Sequence, residues 1–327
     1  MSNLKNVCIV GYGKIGPRHA NAFVAIENAK LYAVCDTNEK KIKECQESFD
    51  VIGYTDFDEM LKDENIHSVH ICTPHHLHYE MIVKALAAGK SVVSEKPVTI
   101  TREQFEELKK NPDAKKVCLV FQNRLNNCVV KLKEIIDKGV LGNIKAARSV
   151  LTWCRTAKYY LEDEWRGKWA TEGGGVLINQ AVHSLDLLRY LVDDFDTVRA
   201  NMMNYSLEDV IEVEDTFVAR MDYKNGAKAF FVATNSYPVN SPMDIEIIFE
   251  NGVARYTSNC LIVNGEVIAR DEIATGAKGY WGKSHTKLLV DFYDKGKYFS
   301  IVDAENTMNT LFAMYESAKN NGKEINI

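Results

Sequence analysis

The chain has 327 residues, of which 46% are hydrophobic and 26% charged, and its formal net charge at pH 7 is −5. This composition is typical of a soluble globular protein, and the length favours two domains over a single core. The mildly acidic balance argues against nucleic-acid binding. Because no apolar run reaches membrane-spanning length and the first residues lack the pattern of a signal peptide, we expect no membrane association and a cytoplasmic location.

The eight cysteines show no spacing typical of a metal site. There is no C-x-x-C, and no histidine lies at zinc-ligand spacing from a cysteine. We therefore expect small, buried, reduced side chains and predict neither disulfides nor a bound metal. These residues are Cys8, Cys35, Cys45, Cys72, Cys118, Cys128, Cys154 and Cys260.

The first element in chain order is an apolar strand that ends in a glycine-rich turn, Gly11-Tyr12-Gly13-Lys14-Ile15-Gly16. In a G-x-G-x-x-G turn the first glycine makes the bend, the second lets a pyrophosphate approach the backbone, and the third lets the next helix pack on the strand. The pattern alone is weak, because glycine-rich turns also arise for structural reasons.

A second strand, Leu31 to Cys35, ends at Asp36, twenty residues after Gly16. A dinucleotide-binding fold places at this point the carboxylate that binds the adenosine ribose. Since a carboxylate repels a 2′-phosphate, Asp36 predicts NAD rather than NADP, and Lys40 and Lys41 leave NADP as the alternative.

Strands and helices alternate through the rest of the first half. This alternation predicts a parallel, doubly wound sheet with ligand groups at the carboxyl ends of its strands. Further strands are predicted over 68–72, 91–94 and 117–121, and helices over 20–26, 56–61, 77–88 and after the capping box Thr101-x-x-Gln104. The strand ends carry Thr73-Pro74, Glu95-Lys96-Pro97 and Gln122-Asn123-Arg124.

The second half opens with a helix over 126–138 and a strand over 144–153. A segment rich in aromatic and basic side chains follows, with Tyr159, Tyr160, Trp165, Arg166 and Trp169. Rings that cover apolar sugar faces, and an arginine that donates to hydroxyls, suit a polyhydroxylated ligand. A plain packing role carries equal weight for the individual tyrosines.

Three glycines, 173–175, precede an amphipathic helix predicted over 176–191. Asn179 and His183 lie four residues apart and therefore on one helix face, close enough to interact. The imidazole titrates near neutral pH, which makes His183 a candidate base. We interpret Asp186 as a structural hydrogen-bonding residue rather than a catalytic one.

Beyond this helix the pattern becomes that of short strands joined by tight turns. Asn-Gly pairs at 225–226, 251–252 and 264–265 are hairpin signals, and they predict a mainly antiparallel sheet with one face covered by helices. The strands are predicted over 216–223, 228–234, 244–250, 253–256 and 261–263, and the last helices over 286–293 and 304–319. We predict two domains, 1–123 and 124–327.

The order and spacing of these motifs resemble the Gfo/Idh/MocA family of oxidoreductases over essentially the whole chain. The resemblance rests on the opening glycine motif, Thr73-Pro74 with His78, Gly89-Lys90 before Glu95-Lys96-Pro97, and Gly173-Gly174-Gly175-x-Leu177-x-Asn179-x-x-x-His183. It implies an α/β protein with an N-terminal Rossmann domain and a C-terminal α+β domain whose large, open, mainly antiparallel sheet supports substrate binding and oligomer contacts. A homodimer or homotetramer formed through that sheet is expected.

The resemblance also implies an enzyme that moves a hydride between a nicotinamide cofactor and a secondary alcohol of a sugar or cyclitol. Lys96, Asn179 and His183 are the implied catalytic residues, with His183 or Lys96 as the group that takes the proton. The implied cofactor contacts are Gly11, Tyr12, Gly13, Lys14, Ile15, Gly16, Asp36, Thr37, Thr73, Pro74, His78, Glu95, Lys96, Gln122, Trp165 and Arg166. The implied substrate contacts are Lys96, Arg124, Tyr159, Tyr160, Asn179, His183 and His285, and the segment 280–285 is expected near the substrate.

Two positions depart from the family pattern. His75 stands where the family often has asparagine, and Asn179 stands where inositol dehydrogenases have aspartate. These departures affect the substrate more than the enzyme class. Three alternatives stay open: a redox-neutral glycosidase that uses NAD, a non-catalytic sugar sensor, and a reductase of an imine or enone.

Overall fold

The computed structural model describes residues 4–272 and 283–327. Its strands are β1 Lys5–Val10, β2 Ala29–Cys35, β3 Ile52–Tyr54, β4 Ser68–Ile71, β5 Ser91–Ser94, β6 Val117–Leu119, β7 Ile144–Thr152, β8 Phe195–Met203, β9 Thr216–Tyr223, β10 Lys228–Thr234, β11 Asp244–Phe249, β12 Gly252–Thr257, β13 Cys260–Val263, β14 Glu266–Arg270 and β15 Ile325–Asn326. Its α-helices are α1 Gly16–Ala22, α2 Glu39–Ser48, α3 Phe57–Leu61, α4 His78–Ala87, α5 Arg102–Lys110, α6 Asn127–Asp137, α7 Ala157–Leu161, α8 Val182–Leu191, α9 Ser284–Lys295 and α10 Ile301–Lys319.

The chain forms two compact units. The first comprises Met1–Gln122 and Ser284–Ala304, and the second comprises Asn123–Lys283 and Glu305–Ile327. The predicted division between residues 123 and 124 lies close to the first of these breaks. It did not anticipate that residues 284–304 return to the first unit, where α9 packs against α1 and buries Leu288, Leu289 and Tyr293.

The sheet of the first unit confirms the predicted doubly wound architecture. Six parallel strands lie in the order β3-β2-β1-β4-β5-β6. Strand β4 is buried along its whole length and β1 from Val7 to Val10, as expected of strands with helices on both faces. This order places the loops after β1, β4 and β5 side by side at the carboxyl edge of the sheet.

Local capping explains where several helices of this unit begin. The Asp56 side chain accepts from the Glu59 backbone N–H, and Thr101 accepts from that of Gln104, as their sequence patterns predict. Helix α1 begins at Gly16, four residues before the predicted start. Pro17 explains the difference, because proline is well suited to a first helical turn.

The second unit contains a nine-stranded sheet in the order β14-β13-β12-β11-β7-β10-β9-β8-β15. Its pairings are antiparallel except for β7 with β10, so the predicted mainly antiparallel sheet is confirmed. Helix α6 packs on β12–β14 and α8 on β7. All three predicted Asn-Gly hairpins are present, joining β9 to β10, β11 to β12 and β13 to β14.

The remaining differences concern short or weakly patterned elements. Strands β3, β8, β14 and β15 and helices α2 and α7 are present without having been predicted. Seven of the eight cysteines are buried, and Cys154 is partly exposed. Among the helices of the described residues, none is both long and apolar enough to cross a membrane.

Candidate functional site

The glycine turn after β1 is held by close packing at two of its three glycines. Gly11 has φ +87°, and a Cβ at that position would lie 2.8 Å from the Cys72 carbonyl oxygen. At Gly16 a Cβ would lie 2.5 Å from the carbonyl oxygen of Gly11. Gly13 differs, since a Cβ there would meet nothing within 4 Å. The middle of the turn therefore presents bare backbone, which is the arrangement that a pyrophosphate requires.

Asp36 follows β2 and is hydrogen-bonded to this turn. The Tyr12 backbone N–H donates to its Oδ2 at 2.7 Å, and the Asn38 N–H donates to its Oδ1 at 2.9 Å. The predicted ribose carboxylate thus lies beside the glycine turn, fixed by main-chain donors. Lys41 is one of the two lysines that kept NADP open as the alternative cofactor. Its Nζ pairs with a Glu44 carboxylate oxygen at 2.6 Å.

Glu95, at the end of β5, is buried and held by two histidines. Its Oε1 lies 3.1 Å from Nε2 of His19 and 3.5 Å from Nε2 of His285. Burial by itself would raise the pKa of Glu95, but the hydrogen bonds from the two histidines outweigh it and keep the pKa well below the usual range. The next residue, Lys96, donates its backbone N–H to Glu95 Oε2 at 3.3 Å. Glu95 is therefore a carboxylate that shapes the turn carrying Lys96.

A chain of buried polar groups extends from His19 into the first unit. Its Nδ1 lies 3.0 Å from Nδ1 of His70, and His70 Nε2 lies 2.8 Å from the Tyr293 hydroxyl. That hydroxyl donates to Ser68 Oγ at 2.8 Å. Burial lowers the pKa of His70 far below its ordinary value, with a smaller contribution from His19.

His19, Glu95 and His285 are also the described residues whose geometry could accommodate a metal ion. One ligand atom from each lies within 4.8 Å of the others, and two imidazoles with a carboxylate form a donor set that zinc accepts. The three residues are far apart in sequence, so no spacing pattern points to them. Their mutual hydrogen bonds account for the arrangement without an ion.

His78, a predicted cofactor residue, joins two turns at the carboxyl edge of the sheet. Its Nδ1 lies 2.7 Å from the Pro97 carbonyl oxygen, and its Nε2 lies 2.9 Å from that of Thr73. Burial lowers its pKa, against the opposing effect of the two carbonyl groups. His78 thereby connects the turn after β4 to the turn after Lys96, and direct contact with the cofactor stays a prediction.

Gln122 is a further predicted cofactor residue at this edge, after β6. Its side chain is only 3% exposed, and Oε1 has no hydrogen-bond partner among residues 4–272 and 283–327. A buried acceptor without a partner is unfavourable, and a bound ligand that donates to it would remove the cost.

In the second unit, the helix after the three glycines begins with an unusual turn. Leu177–Ala181 form a π-helical turn that continues into α8. A π-turn holds more residues than an α-helical turn, and such turns are frequent at functional sites. The four-residue spacing of Asn179 and His183 therefore does not by itself align their side chains, and contact between them stays a prediction.

Two buried glutamates hold the glycine segment, and the sequence patterns did not reveal either of them. Glu172 accepts from the Gly167 backbone N–H and from Asn179 Nδ2, both at 2.5 Å. Glu214 accepts from the backbone N–H groups of Gly175 at 2.9 Å and Leu177 at 3.1 Å, and from the Tyr315 hydroxyl. Burial raises the pKa of each glutamate to about 7.

The glycines beside these carboxylates have no room for a side chain. A Cβ at Gly175 would lie 1.8 Å from the Glu214 carbonyl oxygen, and one at Gly174 would lie 2.0 Å from the Tyr315 hydroxyl oxygen. The glycine motif is therefore explained first by close packing around the π-turn.

Asp186 has the structural role that we predicted, and its partner is a predicted substrate residue. Arg124 donates from Nε and Nη2 to the two Asp186 oxygens, at 2.8 and 2.5 Å, and Thr307 also donates to Asp186. Both charged side chains are almost fully buried. This ion pair fixes Arg124 inside the second unit, and its contact with a substrate stays a prediction.

The aromatic segment forms a connected cluster. The Arg166 guanidinium lies 4.1 Å from the Tyr159 ring centroid and 5.3 Å from that of Trp165, and it pairs with Asp163 at 2.6 Å. Tyr160 is buried and accepts from Asn235 Nδ2. The predicted cofactor residues Trp165 and Arg166 thus pack on the predicted substrate residue Tyr159.

Other predicted residues are accounted for as follows. Lys14 and Thr37 are exposed at the glycine turn and after Asp36, and His75 is buried in a short turn before α4. His285 lies in α9 of the first unit, where it contacts Glu95 instead of solvent. Residues 280–282 of the segment expected near the substrate lie outside the described residues. The role of each residue as a cofactor or substrate contact stays a prediction.

Comparison with protein families matches both halves of the chain. Residues 5–123 match the GFO/IDH/MocA model described as an oxidoreductase family with an NAD-binding Rossmann fold. Residues 129–255 match the GFO/IDH/MocA C-terminal domain.

Among characterised proteins, the chain is similar to dehydrogenases of sugars and cyclitols. It is 27% identical to levoglucosan dehydrogenase of Pseudarthrobacter phenanthrenivorans over 280 residues, which cover 76% of this chain and 72% of that protein. It is 27% identical to myo-inositol 2-dehydrogenase of Thermotoga maritima over 225 residues, which cover 67% of this chain and 65% of that protein.

Among solved structures, the chain resembles the WlbA dehydrogenase from Bordetella pertussis in complex with NADH and UDP-GlcNAcA. The two share 27% identity with a TM-score of 0.87, over 100% of this chain and 99% of the other.

Proposed function

Since the chain belongs to the GFO/IDH/MocA oxidoreductase family, we propose that it is an NAD-dependent dehydrogenase of a sugar, a cyclitol or a sugar derivative. The reaction moves a hydride between nicotinamide and the carbon of a secondary alcohol or ketone. One observation carries this proposal: the glycine turn is open at Gly13 and bonded to Asp36, and so fits the adenosine half of NAD.

The donors and acceptors around the turn favour NAD over NADP. The bound nicotinamide supplies the hydride acceptor for the oxidation. Asp36, fixed by two backbone N–H groups, accepts from the ribose hydroxyls and repels a 2′-phosphate. Lys41 is engaged with Glu44, so binding of such a phosphate by Lys41 would require this ion pair to break.

Removal of a hydride from an alcohol carbon requires that the hydroxyl proton leave to a base. We assign this role to His183, because an imidazole is the most frequent general base among protein side chains. Lys96 donates to the reacting oxygen and stabilises its developing negative charge. The buried Glu95 carboxylate, which accepts the Lys96 backbone N–H, supports the turn from which the lysine side chain projects.

The substrate is assigned to the class of polyhydroxylated rings. The relatives named above act on levoglucosan and myo-inositol, and the WlbA structure contains UDP-GlcNAcA. The cluster of Tyr159, Trp165 and Arg166 provides rings and a cation of the kind that binds sugar faces and hydroxyls or a sugar carboxylate.

The test is a substrate screen on the purified full-length chain. Levoglucosan, myo-inositol, scyllo-inositol, UDP-GlcNAcA and simple sugar acids are incubated with NAD or NADP, and near-UV absorbance follows the reduced cofactor. We expect turnover of at least one polyol with NAD and at least tenfold less with NADP. A wild-type rate in Lys96→Ala would contradict the assigned chemistry.

An extended screen that adds glycosides, and imines and enones with NADPH, separates the alternatives. Release of a hydrolysed glycoside without net NADH identifies a redox-neutral glycosidase, and binding without turnover identifies a sensor. Oxidation of NADPH by an imine or enone alone identifies a reductase of another substrate class.

A homo-oligomer formed through the nine-stranded sheet is part of the proposal. The sheet exposes several apolar side chains, including Phe230 at 56% and Val267 at 48%. Light scattering coupled to size exclusion should give a dimer or tetramer, and Phe230→Lys should lower the mass. The cytoplasmic location stays a prediction.

A further inference from the structure

Glu172 and Asn179 form a hydrogen-bonded pair whose geometry goes beyond the assigned chemistry. Glu172 is fully buried, and its Oε1 accepts from Nδ2 of Asn179 at 2.5 Å. The other oxygen, Oε2, accepts from the Gly167 backbone N–H. Both oxygens therefore have donors, and the carboxylate is held at two points.

This pairing fixes the direction of the Asn179 amide. An ionised carboxylate is an acceptor only, so the NH2 group of the amide must face Glu172. The amide oxygen is then the end turned away from Glu172 and presented to other groups. Asparagine at this position thus depends on a neighbour for its orientation, which an aspartate with two equivalent oxygens does not.

We propose that Glu172 is a positioning residue that sets which end of the Asn179 amide faces the substrate, and that protonation of Glu172 reverses it. The inference rests on the proposed function, because it takes Asn179 as a substrate contact. It gives the reaction a residue that acts through its contact with Asn179 and that no sequence motif marks.

The reversal follows from the number of protons between the two side chains. The Gly167 N–H belongs to the backbone and stays on Oε2 in both states, whereas the Asn179 amide can rotate, so we place the added proton on Oε1, toward the amide. The new O–H then points at the NH2 group of Asn179, and two donors cannot share a hydrogen bond. Rotation of the amide by a half turn places Oδ1 against the new donor and turns Nδ2 outward. The group offered to the substrate changes from an acceptor to a donor.

The charges around Glu172 make both protonation states accessible. Burial raises its pKa to about 7, the negative charge of Glu214 adds to this, and Arg166 opposes it. The phenols of Tyr160 and Tyr315 also interact with this carboxylate. Burial is the main cause that raises the pKa of each phenol, and the negative charge of Glu172 raises it further. The amide reversal is thus expected within the ordinary pH range.

The first test reads the amide directly and needs no turnover. In ¹⁵N-labelled protein the Asn179 side-chain resonances are identified by their loss in Asn179→Ala, and their shifts are followed from pH 5.5 to 8.5. We expect a titration with a midpoint near 7 that is lost in Glu172→Gln. Absence of the titration in the wild-type protein, or its persistence in Glu172→Gln, overturns the proposal.

Glu214→Gln is the matched control, because it removes the other buried carboxylate of the same glycine segment. Glu214 contacts backbone N–H groups and Tyr315 rather than Asn179. The Asn179 titration should remain and move to lower pH, since one negative charge near Glu172 is gone. An unchanged midpoint, or loss of the titration in this control, contradicts the assignment to Glu172.

The second test is a double-mutant cycle on kcat/KM with the best substrate. We expect Glu172→Gln to reduce kcat/KM by about tenfold or more in the wild-type background and by less than about twofold in Asn179→Ala. Equal losses in both backgrounds show that Glu172 does not act through Asn179. Glu172→Asp, which keeps the carboxylate, serves for the same comparison if the glutamine variant does not fold.

The first test needs no turnover, so its outcome is independent of the proposed function. If no substrate turns over but the Asn179 resonances titrate as described, the control of the amide by Glu172 stands and the dehydrogenase assignment fails. If turnover is normal but the amide does not titrate, the dehydrogenase assignment stands and the positioning role is wrong.

Discussion

The Tyr12 backbone N–H donates to Oδ2 of Asp36 across 2.7 Å, which ties the glycine turn to the end of the second strand. The Asp36 carboxylate therefore closes the turn, and its proposed second function is to accept from a ribose.

Replacement of Asp36 by alanine should weaken NAD binding. We expect KM for NAD to rise roughly 10- to 100-fold, the cost of losing charge-assisted hydrogen bonds. The KM for NADP should change less, because the repulsion of its 2′-phosphate disappears together with the ribose contact. Steady-state kinetics with both cofactors measure this, and Asp50→Ala, at an exposed aspartate of the same unit, is the control. An equal change in KM for NAD and for NADP would contradict the proposal that Asp36 recognises the ribose.

Alanine at Gly13 should lower the affinity for NAD, whereas alanine at Gly16 should lower the stability of the fold. A Cβ at Gly13 meets nothing within 4 Å, so Gly13→Ala should fold normally but obstruct the cofactor and lose at least tenfold in NAD affinity. At Gly16 the Cβ would lie 2.5 Å from the Gly11 carbonyl oxygen, so the free energy of unfolding should fall by about 1–3 kcal/mol. Thermal unfolding without cofactor and calorimetric titration with NAD separate the two effects. A Gly13→Ala protein that binds NAD normally would show that the pyrophosphate does not approach here.

Lys96→Ala and His183→Ala should both reduce kcat at saturating NAD. Loss of the lysine removes a charge that stabilises the reacting oxygen, worth about 10²- to 10³-fold, and loss of the histidine removes the base, worth about 10²- to 10⁴-fold. Rates above pH 9 should partly recover in His183→Ala, where hydroxide replaces the base. Retention of NADH by His183→Ala is the control for that variant, and a wild-type rate in either variant excludes that residue from catalysis.

Asp186→Ala should be strongly destabilising. It leaves the buried Arg124 guanidinium without its carboxylate, at an expected cost of about 3–5 kcal/mol in the free energy of unfolding. Denaturant unfolding measures the loss, and the double variant Arg124→Met with Asp186→Leu should recover much of it. If the double variant recovers stability but loses substrate affinity, then Arg124 is a substrate residue, as the sequence prediction has it.

Stability should fall as the pH rises through neutrality. The pKa of Glu214 is raised by burial from 4.5 to about 7. Between these values the unfolded chain releases a proton that the folded chain keeps, so folding loses up to about 3 kcal/mol from this group as pH increases. The contribution is complete below pH 4.5. Glu214→Gln cannot titrate and should show a flatter dependence in urea unfolding from pH 5 to 8, whatever its absolute stability. An equally steep fall in the variant would place the titrating group elsewhere.

Local sequence patterns predicted most of the fold. The alternation of apolar strands and amphipathic helices identified the doubly wound sheet, and three Asn-Gly pairs identified three hairpins. Strand β8 was missed because polar side chains interrupt its apolar alternation. Strand β3 has only three residues and gives little periodicity.

The candidate site was predictable only where its residues act near one another in sequence. The position of Asp36 beside the glycine turn could be predicted, because one short helical segment and one strand separate the two in sequence. The roles of Glu172 and Glu214 could not be predicted, because they depend on burial and on partners that are distant in sequence. Tyr315, for example, lies 101 residues beyond Glu214. The π-turn at 177–181 likewise has no marker in amphipathic periodicity, which describes a helix of regular pitch.

The return of residues 284–304 to the first unit has a consequence for biosynthesis. Synthesis of the parallel sheet is complete when Leu119, the end of its last strand, has been added. Tyr293, which hydrogen-bonds His70 and Ser68, is added only when most of the chain has left the ribosome. A nascent chain that stops before α9 would leave His70 without this partner and one side of α1 uncovered. The nucleotide-binding half should therefore mature late, after the second sheet has been synthesised, and its expression as an isolated N-terminal fragment should give an aggregation-prone product.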